Sequence, residues 1–143
     1  MHSSDLGDLT ITVARALRRR HLAALEPFGL PPSHGRALKV LARSDGPVRP
    51  GFLAERLRIA PRSVTDVVDA LADARLIDRR PDATDRRAIL VDLTDAGRAL
   101  AADVARAQRR ASAGLFDVLD EEEQGTLERL LARVAAEAPP PRG

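Results

Sequence analysis

The sequence predicts a mainly helical α+β fold in which a small β-hairpin is set into a run of helices. Three observations carry that expectation. Apolar residues recur at helical spacing through most of the chain. Residues 62–75 separate into an apolar and a polar side when placed about 100° apart. The strongest strand former, Ile89-Leu90-Val91, lies across a polar loop from a second extended candidate. At 143 residues, 44% hydrophobic and 31% charged, the chain suits one domain with a buried core.

Residues 5–26 place Leu6, Leu9, Val13, Ala16 and Leu17 near one helical face, with Arg15, Arg18, Arg19 and Arg20 around it. Pro27, Gly29, Pro31 and Pro32 break that helix. Ser33 is expected to cap a second helix whose apolar side carries Ala37, Leu38 and Leu41. After the turn Ser44-Asp45-Gly46-Pro47, an extended piece at Val48 leads to a small helix over about 51–57, with Phe52, Leu53 and Leu57 inward. Pro61 suits the first position of the next helix, 62–75. There Val64, Val67, Val68 and Leu71 form one side, and Arg62, Thr65, Asp66, Asp69 and Asp73 the other.

Residues 76–80 and 88–93 read as strands of a hairpin with a long polar tip, 81–87. Thr94 can cap a long helix over about 95–118, weakened by Gly97 and Gly114. Asp120 with Glu123 has the form of a capping box, and Glu121 and Glu122 suit the positive helix start. That last helix runs to about Ala138, and Pro139-Pro140-Pro141 ends it, leaving 139–143 as a flexible tail.

A short helix, a polar-faced helix and then a hairpin make a winged helix-turn-helix, expected over 33–93. Such a unit offers its second helix to the DNA major groove and its hairpin tip to the backbone or minor groove. The flanks, 5–32 and 94–138, are helices too apolar to stand alone and need a partner.

Particular residues carry a family resemblance. Leu53-Ala54-Glu55-Arg56-Leu57, Ser63-Val64-Thr65 with Val68-Asp69-Ala70-Leu71, and Leu76-Ile77-Asp78-Arg79 resemble the winged-helix core of the MarR family of regulators. Asp85-Arg86-Arg87-Ala88, running into Val91-Asp92-Leu93-Thr94-Asp95-Ala96-Gly97, resembles that family's wing and the start of its following helix. The ordered set covers roughly residues 6–137. It implies a homodimeric, DNA-binding transcriptional regulator, often a repressor released by a small-molecule effector. The flanking helices would then form the dimer through Leu6, Leu9, Val13, Leu115, Leu119, Leu127, Leu131 and Val134.

The expected DNA contacts follow from the same placement. Arg62, Ser63 and Thr65 occupy the first turns of the polar-faced helix, and Arg86 and Arg87 the wing tip, where Asp85 would orient a guanidinium. Arg36 and Lys39, with Arg43, share the exposed side of the second helix and are candidates for phosphate. Asp66 departs from the basic or amide residue of many relatives. It either accepts from a base, pairs with Arg62 four residues earlier, or weakens binding; the spacing favours the pair. Asp69 is expected to tie its helix to a neighbour. His21 and His34 are candidates to border an effector pocket between the first two helices and the winged region.

Charge sharpens these expectations. Twenty-three basic and 21 acidic residues leave +2 overall, although the pI is about 10.2. No Cys or Tyr and a single Lys leave almost nothing but the amino terminus to titrate between neutrality and the arginines, so the pI overstates the basicity. By segment the formal charge is +5 over 1–59, −1 over 60–92 and −2 over 93–143. DNA binding should therefore rest on a few placed arginines and the basic second helix, and not on bulk charge.

Other function classes are disfavoured. Zero cysteines exclude thiol nucleophiles, Cys-ligated metal and thiol-based peroxide sensing. There is no glycine-rich phosphate loop, no G-x-S-x-G elbow and no paired-histidine metal spacing, so neither an enzyme nor a cofactor is expected. Three phenylalanines are the only aromatics, too few for a base-stacking platform. The N-terminus lacks the pattern of a secretory signal and no apolar run is long enough for a membrane helix, so a cytoplasmic protein without a membrane partner is expected. The expected partners are double-stranded DNA, a second copy of the chain and a small effector. The acidic character of the recognition segment leaves an alternative, a winged-helix protein-interaction module with weak or lost DNA binding.

Overall fold

Local sequence signals set most element boundaries in the computed structural model, which describes residues 3–138; the expected tail at 139–143 lies outside the described residues. The order is α1 (Ser3–Leu25), a single 3-10 turn (Glu26–Phe28), α2 (Pro32–Arg43), α3 (Pro50–Leu57), α4 (Pro61–Asp73), β1 (Ile77–Pro81), β2 (Ile89–Leu93), α5 (Asp95–Leu115) and α6 (Glu121–Glu137).

Pro61 does open α4. Thr94 caps α5 by accepting from the Gly97 N–H at 3.0 Å. Asp120 and Glu123 make both bonds of a capping box at the start of α6, at 2.8 and 2.9 Å. Ser33, in contrast, caps nothing. Pro32 already occupies the first helical position of α2, and the Pro31 carbonyl accepts from His34 and Gly35, so Ser33 lies inside the helix. The turn between α3 and α4 uses no glycine: Arg58 takes the left-handed conformation, φ 54°.

The core lies where α2, α3 and α4 meet the hairpin. Leu38, Leu53, Leu57, Val64, Leu71 and Val91 are its largest fully buried side chains. Removing the side chain of such a residue typically costs about 2–5 kcal/mol, so this cluster fixes the angle between α3 and α4. Phe52 does not join it. Its ring is exposed on α3, with the Arg56 guanidinium 5.9 Å from the ring centroid.

β1 and β2 pair antiparallel with Ile77 opposite Leu93 and Pro81 opposite Ile89. Val48 bonds Val91 from the other side, through N···O distances of 2.9 and 2.8 Å, so β2 is flanked on both edges. Gly97 explains how α5 can follow at once. A Cβ there would lie 2.0 Å from the Leu76 carbonyl oxygen, so only glycine lets the first turn of α5 rest against the entry to β1.

α1 packs along α5, with Arg20 donating to the Ala111 carbonyl at 3.1 Å and His21 Nε2 lying 2.5 Å from Ser112 Oγ. α6 is different. None of its side chains is buried, and Leu131 and Val134 are exposed. Leu6, Leu9 and Val13 on α1 are exposed as well, while Leu115, Leu119 and Leu127 are partly covered. Among the described residues no helix is long and apolar enough to cross a membrane.

Candidate nucleic-acid interface

The amphipathic division of α4 is realised in full. Val64, Val67, Val68 and Leu71 are buried, and Arg62, Ser63, Thr65 and Asp66 are exposed together on the opposite side. No side chain caps the start of α4, because Ala60 precedes it and Pro61 opens it. The Thr65 hydroxyl donates back to the Pro61 carbonyl at 3.2 Å, which commits its proton within the helix.

The wing tip is built by carboxylates acting on backbone. Asp82 Oδ1 accepts from the Thr84 N–H at 2.9 Å and from its hydroxyl at 2.8 Å, while Oδ2 accepts from Arg49 Nη2 at 2.8 Å. These bonds, the Thr84 amide first and Arg49 next, lower the Asp82 carboxyl to about 2. Asp85 Oδ1 accepts from the Arg87 N–H at 3.0 Å. Asp85 thus shapes the loop through the main chain and does not hold a guanidinium as expected, since its oxygen is within two residues of an amide that the turn brings to it.

Five arginines occupy α4, β1 and the wing tip, and the structure divides them. Arg79 pairs with Asp69, tying β1 to α4, and Arg80 lies 3.5 Å from the buried Asp92 carboxylate, which Arg98 approaches at 3.4 Å. Arg62, Arg86 and Arg87 are exposed and have no ion pair among the described residues. The expected Arg62–Asp66 pair does not form. Both side chains extend from α4 into solvent, where an exposed pair of this spacing gains too little to fix two side chains.

Arg36, Lys39 and Arg43 are exposed along α2. Arg36 Nη2 donates to the Leu57 carbonyl at 2.5 Å, satisfying the C-terminal end of α3. Arg36 and Lys39 also line a cleft of about 600 Å³ between α1 and α2, and Lys39 reaches a second cleft of about 750 Å³ between α2 and α5. His21, Gly35, Lys39 and Gln108 border both. Burial, then the neighbouring Arg43, lowers the Lys39 pKa; burial, then Lys39, lowers that of His21. His34 sits at the start of α2 and is not among the residues lining either cleft. Among the described residues no cluster of His, Asp or Glu is placed to hold a metal ion.

The Arg49–Asp82 contact has no signal in the local sequence. Arg49 and Asp82 lie 33 positions apart, and the Val48–Val91 bridge next to Arg49 lies on the hairpin that carries Asp82. No local spacing rule reports such a pair.

A core-anchored helix-turn-helix, a polar α4 and a hairpin tipped with unpaired arginines define a winged-helix DNA-binding regulator of transcription. The chain belongs to the MarR family, whose profile matches residues 28–88. It is 38% identical over 109 residues to an uncharacterized HTH-type transcriptional regulator of Mycobacterium leprae, covering 76% of this chain and 70% of that one. It is 30% identical over 134 residues to the HTH-type transcriptional repressor Rv2887 of Mycobacterium tuberculosis, covering 94% and 96%. Among solved structures, apo wild-type MarR from E. coli superposes with a TM-score of 0.81 at 26% identity, over 90% of this chain and 95% of that one. The crystal structure of Rv2887 gives 0.73 at 29% identity, over 94% and 96%.

Proposed function

We propose that this chain is a homodimeric repressor that reads a pseudo-palindromic operator, with one α4 and one wing for each half-site, and that it performs no catalysis. The observation that carries this reading is the trio Arg62, Arg86 and Arg87: exposed, without an ion pair among the described residues, and set beside Asp69, Asp82 and Asp85, which are each engaged by another group. Ser63 and Thr65 stand beside Arg62 for backbone or base contact. The repressors among its relatives support the direction of control. The relatives are bacterial, and the chromosome they act on lies in the cytoplasm, where we place this protein too.

The dimer follows from surface that one chain leaves uncovered. Leu6 is 66% exposed, Leu9 61% and Val134 69%, and α6 has no fully buried side chain within its own chain. Joining the α1 and α6 faces of two chains removes that apolar area from water. A palindromic site needs two recognition helices about one DNA turn apart, which two chains supply and one does not.

The two clefts around His21 and Lys39 supply the effector site. Lys39, Arg36, Arg15 and Arg18 crowd cations around walls made by Leu17, Leu22 and Leu25. Burial and the neighbouring Arg43 both disfavour the charged form of Lys39, which an anion in the cleft would offset. A small organic anion with an apolar body fits both features, and its binding would bias the angle between α1, α5 and the DNA-reading unit.

Sedimentation equilibrium and footprinting on the DNA upstream of the chain's own gene test this reading. A dimer protecting a symmetric site supports it. A monomer, or no protected site at moderate salt, refutes it.

A further inference from the structure

Asp66 is the one exposed carboxylate in the base-reading half of α4 that the fold does not use. Three aspartates occupy the polar side of this helix: Asp66, Asp69 and Asp73. Asp69 holds Arg79 and so fastens β1 to α4. Asp73 is the last residue of the helix, at the end away from the groove. Asp66 lies one turn beyond Arg62, is exposed, and has neither an ion pair nor a side-chain hydrogen bond among the described residues.

Its position carries no reward within the helix. It is beyond the first turn, where a negative charge gains from the helix dipole, and aspartate is a poorer interior helix former than alanine. On a surface offered to phosphates it also repels. Free, it is hydrated like any exposed carboxylate; against DNA, a donor on a base edge offsets the loss of that water.

We propose that Asp66 selects cytosine in the operator, accepting a hydrogen bond from the N4 amino group in the major groove. This rests on the DNA-binding reading above and deepens it. The choice of base follows from the chemistry of the edges. An ionised carboxylate accepts and cannot donate. Guanine presents two acceptors, O6 and N7, and thymine an acceptor and a methyl group; each rejects it. Adenine offers N6–H₂ but sets the N7 acceptor beside it. Cytosine alone presents a donor with no acceptor on the same base edge. Arg62, four residues earlier and about 6 Å along the axis, has the complementary preference, donating to guanine O6 and N7. The two residues therefore read opposite edges within one half-site, and their failure to pair with each other leaves both available.

Selection of bound duplexes from a random library, run in parallel with wild type, Asp66→Asn, Asp66→Ala and Arg62→Ala, tests this. Thermal melts confirm that each variant is folded. Wild type should select a motif with cytosine at one position of each half-site, and replacing that base should weaken binding about tenfold to a hundredfold. Asp66→Asn should move that position alone toward adenine, which asparagine reads through N6 and N7. Asp66→Ala should lose preference there while its affinity for random duplex rises, because a repelling charge is gone. Arg62→Ala should change a different position. An unchanged motif in both Asp66 variants, with affinity raised equally for all duplexes, overturns the assignment and leaves the regulator reading intact. A wild type that selects no motif overturns the operator reading and this one with it.

Discussion

Arg49, at the entry to α3, donates from Nη2 to Asp82 Oδ2 at the foot of the wing tip, 2.8 Å away. The pair fastens the hairpin tip to the helix-turn-helix, and the same carboxylate folds the loop through Thr84. Arg86 and Arg87 are thereby carried on a tip with a fixed base.

Asp82→Ala separates positioning from charge. Removing a negative charge next to DNA should by itself strengthen binding. Loss of the tip's anchor should instead weaken operator binding several-fold and shorten the lifetime of the complex, which surface plasmon resonance reads directly. The acid limb is also predicted. The Asp82 carboxyl is lowered from 3.8 to about 2, so its contribution is complete above 3.8 and is lost as pH falls toward 2. Asp82→Ala should flatten that part of an acid denaturation curve.

Arg62 and Arg87 should fail in different ways, although both are exposed arginines without partners. Arg62→Ala should cost about tenfold to a hundredfold on the operator and relax preference at one base position. Arg87→Ala should weaken all duplexes alike and reduce the slope of log affinity against log salt by about one. Arg79→Ala, whose partner is Asp69, should change neither slope nor preference and act on stability. Anisotropy titrations at several salt concentrations distinguish the three.

Gly97→Ala should destabilise the fold with no change to any DNA-facing side chain. The added Cβ would sit 2.0 Å from the Leu76 carbonyl oxygen, which belongs to backbone and cannot rotate away. Overpacking of this kind costs about 1–3 kcal/mol. A chemical denaturation series measures it as a lower midpoint at constant slope.

These cases also separate what the sequence announces from what it withholds. Pro61, Thr94 and the Asp120–Glu123 box were legible because each acts within a few residues of itself, and the period of Val64, Val67, Val68 and Leu71 because a helix repeats it. The wing was legible from two extended runs flanking a polar loop. What remained hidden depends on distant backbone. Arg36 finds the Leu57 carbonyl, Arg49 finds Asp82, and Phe52 is left outside because Leu53 and Leu57 fill the interior. The Arg62–Asp66 expectation was local and still failed, since spacing permits a surface pair without making it worth forming.

His21 gives the cleft a pH dependence. Burial first, then Lys39, lowers its pKa below 6.5, so the folded protein favours the neutral ring. The unfolded chain then takes up the proton first as pH falls. Stability should be complete above about 6.5 and decline as pH drops through the folded-state value. His21→Gln, which can still reach Ser112 Oγ, should remove that decline. A bound organic anion should reduce it as well, because it offsets Lys39. Melting temperatures across pH 5–8, with and without benzoate as the probe, read both effects.

The central claim is that two copies of this chain read one operator through α4 and the wing. An anisotropy titration at about 0.15 M salt, using a selected duplex with both half-sites and a scrambled duplex of equal length, tests it most directly. The account predicts two chains per duplex and binding to the selected site at least about a thousandfold tighter than to the scrambled one. Equal affinity for the two duplexes, or one chain per operator at saturation, would contradict it.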